Sequence, residues 1–168
     1  MALKATVGAI DANSYVTQAE ANAYLSDRAY ATAWEDFEDK DKVLITSSLT
    51  LDWYMKFKGV KTSTSQAMQW PRTGVLRKDG TEVAETIIPT DVKVAVYELT
   101  LSSLTEDRMS ESDLAGIEQI RAGSLMIKAD NGDRESTKKK VIPEKIRQIL
   151  SDLVSLGGNV SVVRLMRG

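Results

Sequence analysis

Two groups of carboxylates carry the chemistry this sequence could perform. One is Glu35, Asp36, Glu38, Asp39 and Asp41; the other is Asp130-Asn131-Gly132-Asp133. Clustered acids can hold a divalent cation or pass a proton. The second group lacks the ligand spacing of an EF-hand, and Asn131-Gly132 suits a turn because both residues tolerate positive φ. The first crowds ahead of a helix, where acids favour the positive end of the helix dipole. The chain has no His and no Cys. That removes the commonest general base at neutral pH, every imidazole triad, thiol nucleophiles and the usual zinc ligands. Neither G-x-x-x-x-G-K-[ST] nor G-x-G-x-x-G occurs, so nucleotide binding has no support. The expectation is a protein that is not an enzyme, with no catalytic, cofactor-binding or metal residues and no cofactor.

Binding is the remaining chemistry. Trp70, beside Pro71, could stack a base or anchor a core or a subunit interface. Arg72 could meet phosphate, cap a carbonyl or pair with an acid. Trp53 and Tyr54 fall within a helical period and are expected in the core. Lys138-Lys139-Lys140 is the best basic run, although such runs are most often solvated loops. The formal net charge of -2 argues against a surface that grips nucleic acid throughout, since phosphate binding needs clustered Lys and Arg. The tail places Val160, Val162, Val163, Leu165 and Met166 among Arg164 and Arg167. That suits an edge strand, packed on its own domain or docked on a neighbour. Trp70, Arg72 and these tail residues are the candidate partner contacts.

The elements that must position them follow from pattern. In 168 residues, 42% hydrophobic and 27% charged, one core is expected, with an N-terminal arm over 1–16 and a C-terminal arm over 157–168. Thr17 and Glu20 form a capping box that starts a helix running to about Tyr30. A second helix carries Val43, Leu44, Ser47, Leu51, Tyr54 and Met55, and Gly59 ends it. Residues 60–69 form a loop, and Asp79-Gly80 a hairpin turn. Pro89 suits the first position of a third helix bearing Val92, Ala95, Val96, Leu99 and Ser103, ending near Glu106. Two strands are expected around Arg121-Ala122-Gly123-Ser124. A fourth helix starts at Pro143 with Ile146, Ile149, Leu150, Leu153 and Val154 on one face, and Gly157-Gly158 ends it. The fold class expected is mainly α, a four-helix bundle with a small β-hairpin and an extended C-terminal strand. With no signal-peptide pattern and no apolar run near 20 residues, a cytosol-made protein without a membrane span is expected.

The order "ANSYVTQAEANAYL", "QWPRTGV", "IPTDVKVAVYEL", hairpin, last helix and "VVRLMRG" resembles the head–tail connector (adaptor) proteins of tailed phages. Some of these carry the label DnaT-like single-stranded-DNA-binding protein. The resemblance covers nearly the whole chain. Its most specific pieces are Trp70-Pro71-Arg72 with Gly74, and Ile88-Pro89 with Val92, Ala95, Glu98 and Leu99. It implies a virion protein at the head–tail junction, assembled as a homo-oligomeric ring, commonly a dodecamer, beneath the portal protein. Such a ring continues the DNA channel, with genomic DNA passing through its lumen, and docks the next tail component, a stopper or tail-terminator protein. The alternative is a DnaT-like single-stranded-DNA-binding replication protein. A weaker third reading is a cytosolic helical enzyme using carboxylates.

Overall fold

In this computed structural model the described residues are 2–104, 119–122, 125–128 and 141–155. Helix α1, Gln18–Ser26, begins as its capping box requires: Thr17 N–H donates to Glu20 Oε2 at 2.8 Å and Glu20 N–H to Thr17 Oγ1 at 3.2 Å. It ends at Asp27, short of Tyr30, which has a positive φ of 62°. One further turn, α2 (Thr32–Glu35), buries Trp34, whose indole N–H donates to Asn22 Oδ1 at 3.0 Å.

The two long helices are α3, Lys40–Tyr54, and α4, Thr90–Ser103. Val43, Leu44, Ser47, Ser48 and Leu51 recur at three- and four-residue spacing and form the buried face of α3. On α4 the buried face includes Val92, Ala95, Val96 and Leu99. These two helices pack together, and Thr100 Oγ1 donates to Ser47 Oγ at 3.0 Å between them. Pro89 is the N-cap of α4 rather than its first residue.

The last helix among the described residues, α5 (Glu144–Ile149), is short. Of the expected face Ile146, Ile149, Leu150, Leu153 and Val154, all are buried except Ile149, which is half-buried, and the chain leaves the helix at Leu150. Phe57 and Val154 then form an antiparallel bridge.

A four-helix bundle is not what forms. Among the described residues there are five helices, and α1, α2 and α5 have only 9, 4 and 6 residues. The faces of α3 and α4 are covered largely by irregular chain: Ala12, Tyr15, Val16, Phe57, Met68, Trp70, Val75, Val83 and Ile88 all belong to the core cluster. Apolar residues in loops did what further long helices would do in a bundle.

Among the described residues two small antiparallel sheets accompany the helices. β1 (Val60–Lys61) pairs with β2 (Arg72–Thr73), Val60 opposite Thr73. β3 (Gln119–Ala122) pairs with β4 (Leu125–Lys128), Ala122 opposite Leu125, which is the hairpin expected around Arg121–Ser124. Leu76 and Glu82 bridge around the Asp79-Gly80 turn, where Gly80 has φ of 84°. Gly59 does not end α3, which stops at Tyr54. Its φ of 68° instead lets the backbone run against Thr73 and Val75, where a Cβ would collide with the Thr73 carbonyl. Asp130–Asp133, Lys138–Lys140 and the arm 157–168 lie outside the described residues.

Candidate nucleic-acid interface

The last turn of α3 separates three consecutive side chains. Asp52 is half-buried, whereas Trp53 is 64% and Tyr54 49% exposed. Both aromatics were expected in the core. Met55 turns inward, and the exposed Lys56 follows. The chain then runs antiparallel to the segment that follows α5: Lys58 N–H donates to the Leu153 carbonyl at 2.9 Å and Ser155 N–H to the Lys56 carbonyl at 2.8 Å.

That pairing brings two lysines to the segment after α5. Lys58 Nζ donates to the Asp152 carbonyl at 2.7 Å, and Lys78 Nζ reaches Asp152 Oδ1 at 2.9 Å and Ser151 Oγ at 3.1 Å. An exposed indole and phenol can stack on bases, since every base has a π-face, while lysines meet phosphate. The cationic contribution is small, because Lys78 shares its charge with Asp152.

Trp70 is 1% exposed and stacks edge-to-face with Phe57, ring centroids 5.6 Å apart. It offers no face to a base. Arg72 is buried as well. Its guanidinium donates to the carbonyls of Lys58 at 2.6 Å, Gly59 at 2.6 Å and Gln69 at 3.2 Å, and to Gln69 Oε1 at 2.9 Å. The carbonyl-capping role weighed for Arg72 is the one it plays. The tail candidates Val160, Val162, Val163, Arg164, Leu165, Met166 and Arg167 lie outside the described residues.

The acidic run does not converge on a point. Glu35, Asp36, Glu38 and Asp39 are exposed, Asp41 sits in the first turn of α3, and Asp39 pairs with Lys42 at 2.7 Å. Among the described residues no group of three or more His, Cys, Asp or Glu could hold a metal ion. No helix among them is long and apolar enough to cross a membrane.

Two carboxylates are electrostatically distinctive. Burial works against charge on Glu98, yet its hydrogen bonds from Arg28, Lys145 and Tyr24 outweigh that cost and bring its pKa down to about 2. Burial dominates at Asp52 and pushes its pKa up to about 6, against the hydrogen bonds from Tyr15 and the Gln69 amide and the charges of Lys61 and Arg72. Burial and the neighbouring Asp52 push the Tyr15 hydroxyl well above its ordinary range.

No curated protein and no solved structure matches this chain. A family model does match, over residues 1–168, and the chain belongs to the family it describes, "Putative DnaT-like ssDNA binding protein".

Proposed function

We propose that this protein binds single-stranded DNA without catalysing a reaction, and that Trp53 and Tyr54 form the stacking part of its surface. The exposure of Trp53 in a member of this family supports the reading. Base–aromatic stacking contributes about 1–3 kcal/mol per base and is indifferent to base identity. With a net charge of -2, binding is weak, strongly salt-dependent and without base preference. Fluorescence anisotropy with a labelled oligonucleotide, titrated at several salt concentrations, is the test. Trp53→Ala should weaken binding about tenfold; affinity unchanged by this substitution would remove Trp53 from the site.

A second reading is the head–tail adaptor ring, which the order of the "QWPRTGV" and "IPTDVKVAVYEL" segments favours. The ion pairs favour it too: Lys4–Asp11, Arg28–Glu98, Lys42–Asp39, Arg77–Asp91, Lys78–Asp152, Lys93–Glu20 and Lys145–Glu98 neutralise much of the basic charge on the described body. Such a surface suits DNA passing through a lumen better than DNA held in a groove. The partners would then be further copies of this chain, the portal protein and a stopper or tail terminator, within the virion. Native mass spectrometry with and without the portal protein separates the readings: a portal-dependent ring supports the adaptor, and a monomer that binds oligonucleotide but not portal rules it out.

A further inference from the structure

The segment that leaves α3 alternates between core and solvent. Met55, the C-cap, has extended backbone (φ -110°, ψ 133°), and both Met55 and Phe57 are buried. Tyr54 and Lys56 are exposed and Lys58 is half-buried, so side chains at two-residue spacing are turned from the core. At about 3.3 Å per residue, Lys56 and Lys58 stand roughly 7 Å apart along the chain. That is close to the separation of successive phosphates in an extended single strand. The segment is held from two sides. Leu153 and Ser155 pair with its backbone, and the Arg72 guanidinium donates to the carbonyls of Phe57 at 3.4 Å, Lys58 at 2.6 Å and Gly59 at 2.6 Å. Neither Lys56 nor Lys58 forms an ion pair among the described residues. Lys58 Nζ meets a neutral group, the Asp152 carbonyl, at 2.7 Å, while the Asp152 carboxylate is taken by Lys78 at 2.9 Å. Asp52, in the last turn of α3, gives its oxygens to the Tyr15 hydroxyl and the Gln69 N–H. Two positive charges thus follow the aromatic turn on a braced backbone, with no counter-charge among the described residues.

Resting on the single-stranded-DNA reading, we propose that Lys56 and Lys58 meet consecutive phosphates of a strand whose bases stack on Trp53 and Tyr54. A lysine that neutralises a phosphate releases the strand's condensed counterions, and an unpaired lysine does so without first leaving an acid. Lys78, by contrast, would have to give up Asp152. Lys58 lies at most about 13 Å of extended chain beyond Tyr54, so rings and lysines together take up a short stretch of strand. Two phosphate contacts also suit weak binding by a protein of net charge -2.

The salt dependence of binding counts phosphate contacts, so it separates these lysines from the rings. The full chain is titrated by anisotropy against a labelled oligothymidylate between 50 and 200 mM salt. Each phosphate contact contributes about 0.7 to the slope of log affinity against log salt on a single strand. The double variant Lys56→Gln/Lys58→Gln should therefore lose about 1.4 of that slope, and across this range the wild type should lose about sevenfold more affinity than the variant. Lys40→Gln/Lys42→Gln removes the same charge at the other end of α3 and should keep the wild-type slope. Trp53→Ala should lower affinity at every salt concentration and keep the slope too, because stacking releases no counterions. All variants change exposed or half-exposed side chains, and thermal melts matching the wild type show that they fold. A wild-type slope in Lys56→Gln/Lys58→Gln, with Trp53→Ala still weakening binding, removes the lysines from the site and leaves the stacking surface standing. An equal loss of slope in Lys40→Gln/Lys42→Gln shows an effect of net charge alone and also overturns the assignment. A wild-type chain that binds no oligonucleotide at 50 mM salt overturns the DNA-binding reading itself, and the lysine contacts with it.

Discussion

Glu98 of α4 accepts Lys145 of α5 on Oε2 at 2.6 Å, while its Oε1 accepts Arg28 at 2.8 Å and Tyr24 at 2.9 Å. One carboxylate, buried at 7% exposure, thus joins α1 and the turn after it, α4 and α5. Tyr24 also stacks on Tyr97, ring centroids 4.7 Å apart, so the polar and aromatic contacts of α1 on α4 reinforce each other.

Glu98→Gln keeps the shape and removes the charge. The buried side chain loses charge-assisted bonds to Arg28 and Lys145, each stronger than a neutral bond. Lys145 is half-exposed, so solvent already screens part of that attraction. The expected loss is about 2 kcal/mol, measured by urea unfolding at pH 7. A loss below about 0.5 kcal/mol would show that the hub contributes little.

Stability should pass through a maximum between about pH 4 and 5. The Glu98 pKa, about 2 in the fold, lies below its ordinary 4.5. Its contribution is complete above 4.5 and fades as pH falls towards 2. Asp52 acts in the opposite sense: its folded pKa of about 6 lies above 3.8, so stability falls as pH rises through that window and is flat beyond it. Thermal melts from pH 2 to 8 should show both limbs. Glu98→Gln should flatten the acid limb and Asp52→Asn the other.

Gly59→Ala should destabilise the fold by more than the roughly 1–2 kcal/mol that a left-handed backbone alone costs a residue with a Cβ. The positive φ is one cause, and the Thr73 carbonyl and Val75 side chain leave no room for a Cβ. Gly74, also at positive φ but with open space around it, is the control and should lose less. Equal losses at the two positions would show that φ alone decides the effect.

What was legible in the sequence was local. The Thr17–Glu20 capping box spans three residues, the β3–β4 hairpin closes across two, and the α4 stripe is a simple period. Trp53 was legible too, although its helix invited a core reading. It lies nine residues after Leu44, and at about 100° per residue that places it on the opposite side of α3. The bundle was misread because periodicity says which face of a helix is buried, not what covers it. Here the cover includes Tyr15, Met68, Trp70 and Val75 from loops. The Asp52 contacts to Tyr15 and Gln69 span 37 and 17 residues, and no spacing rule reaches across such separations.

The two tryptophans Trp53 and Trp70 should respond in opposite ways to truncation. Trp70 is fully enclosed and packs on Phe57, so Trp70→Ala removes a large buried surface and leaves a cavity, at a cost of about 3–5 kcal/mol. Its indole N–H finds no hydrogen-bond partner among the described residues, which softens that loss, since the alanine variant no longer buries that donor. Trp53→Ala removes a side chain already 64% exposed, and its stability should stay within about 1 kcal/mol of the wild type. Binding should follow the reverse order once folding is accounted for. At a temperature where both variants remain folded, Trp53→Ala should lose oligonucleotide affinity and Trp70→Ala should keep it, because only the exposed ring has a face for a base. Equilibrium unfolding paired with anisotropy titration on the same samples reads both quantities. If Trp70→Ala, still folded, is the variant that loses binding, the contact surface lies with the arm and the 66–72 loop rather than at the end of α3.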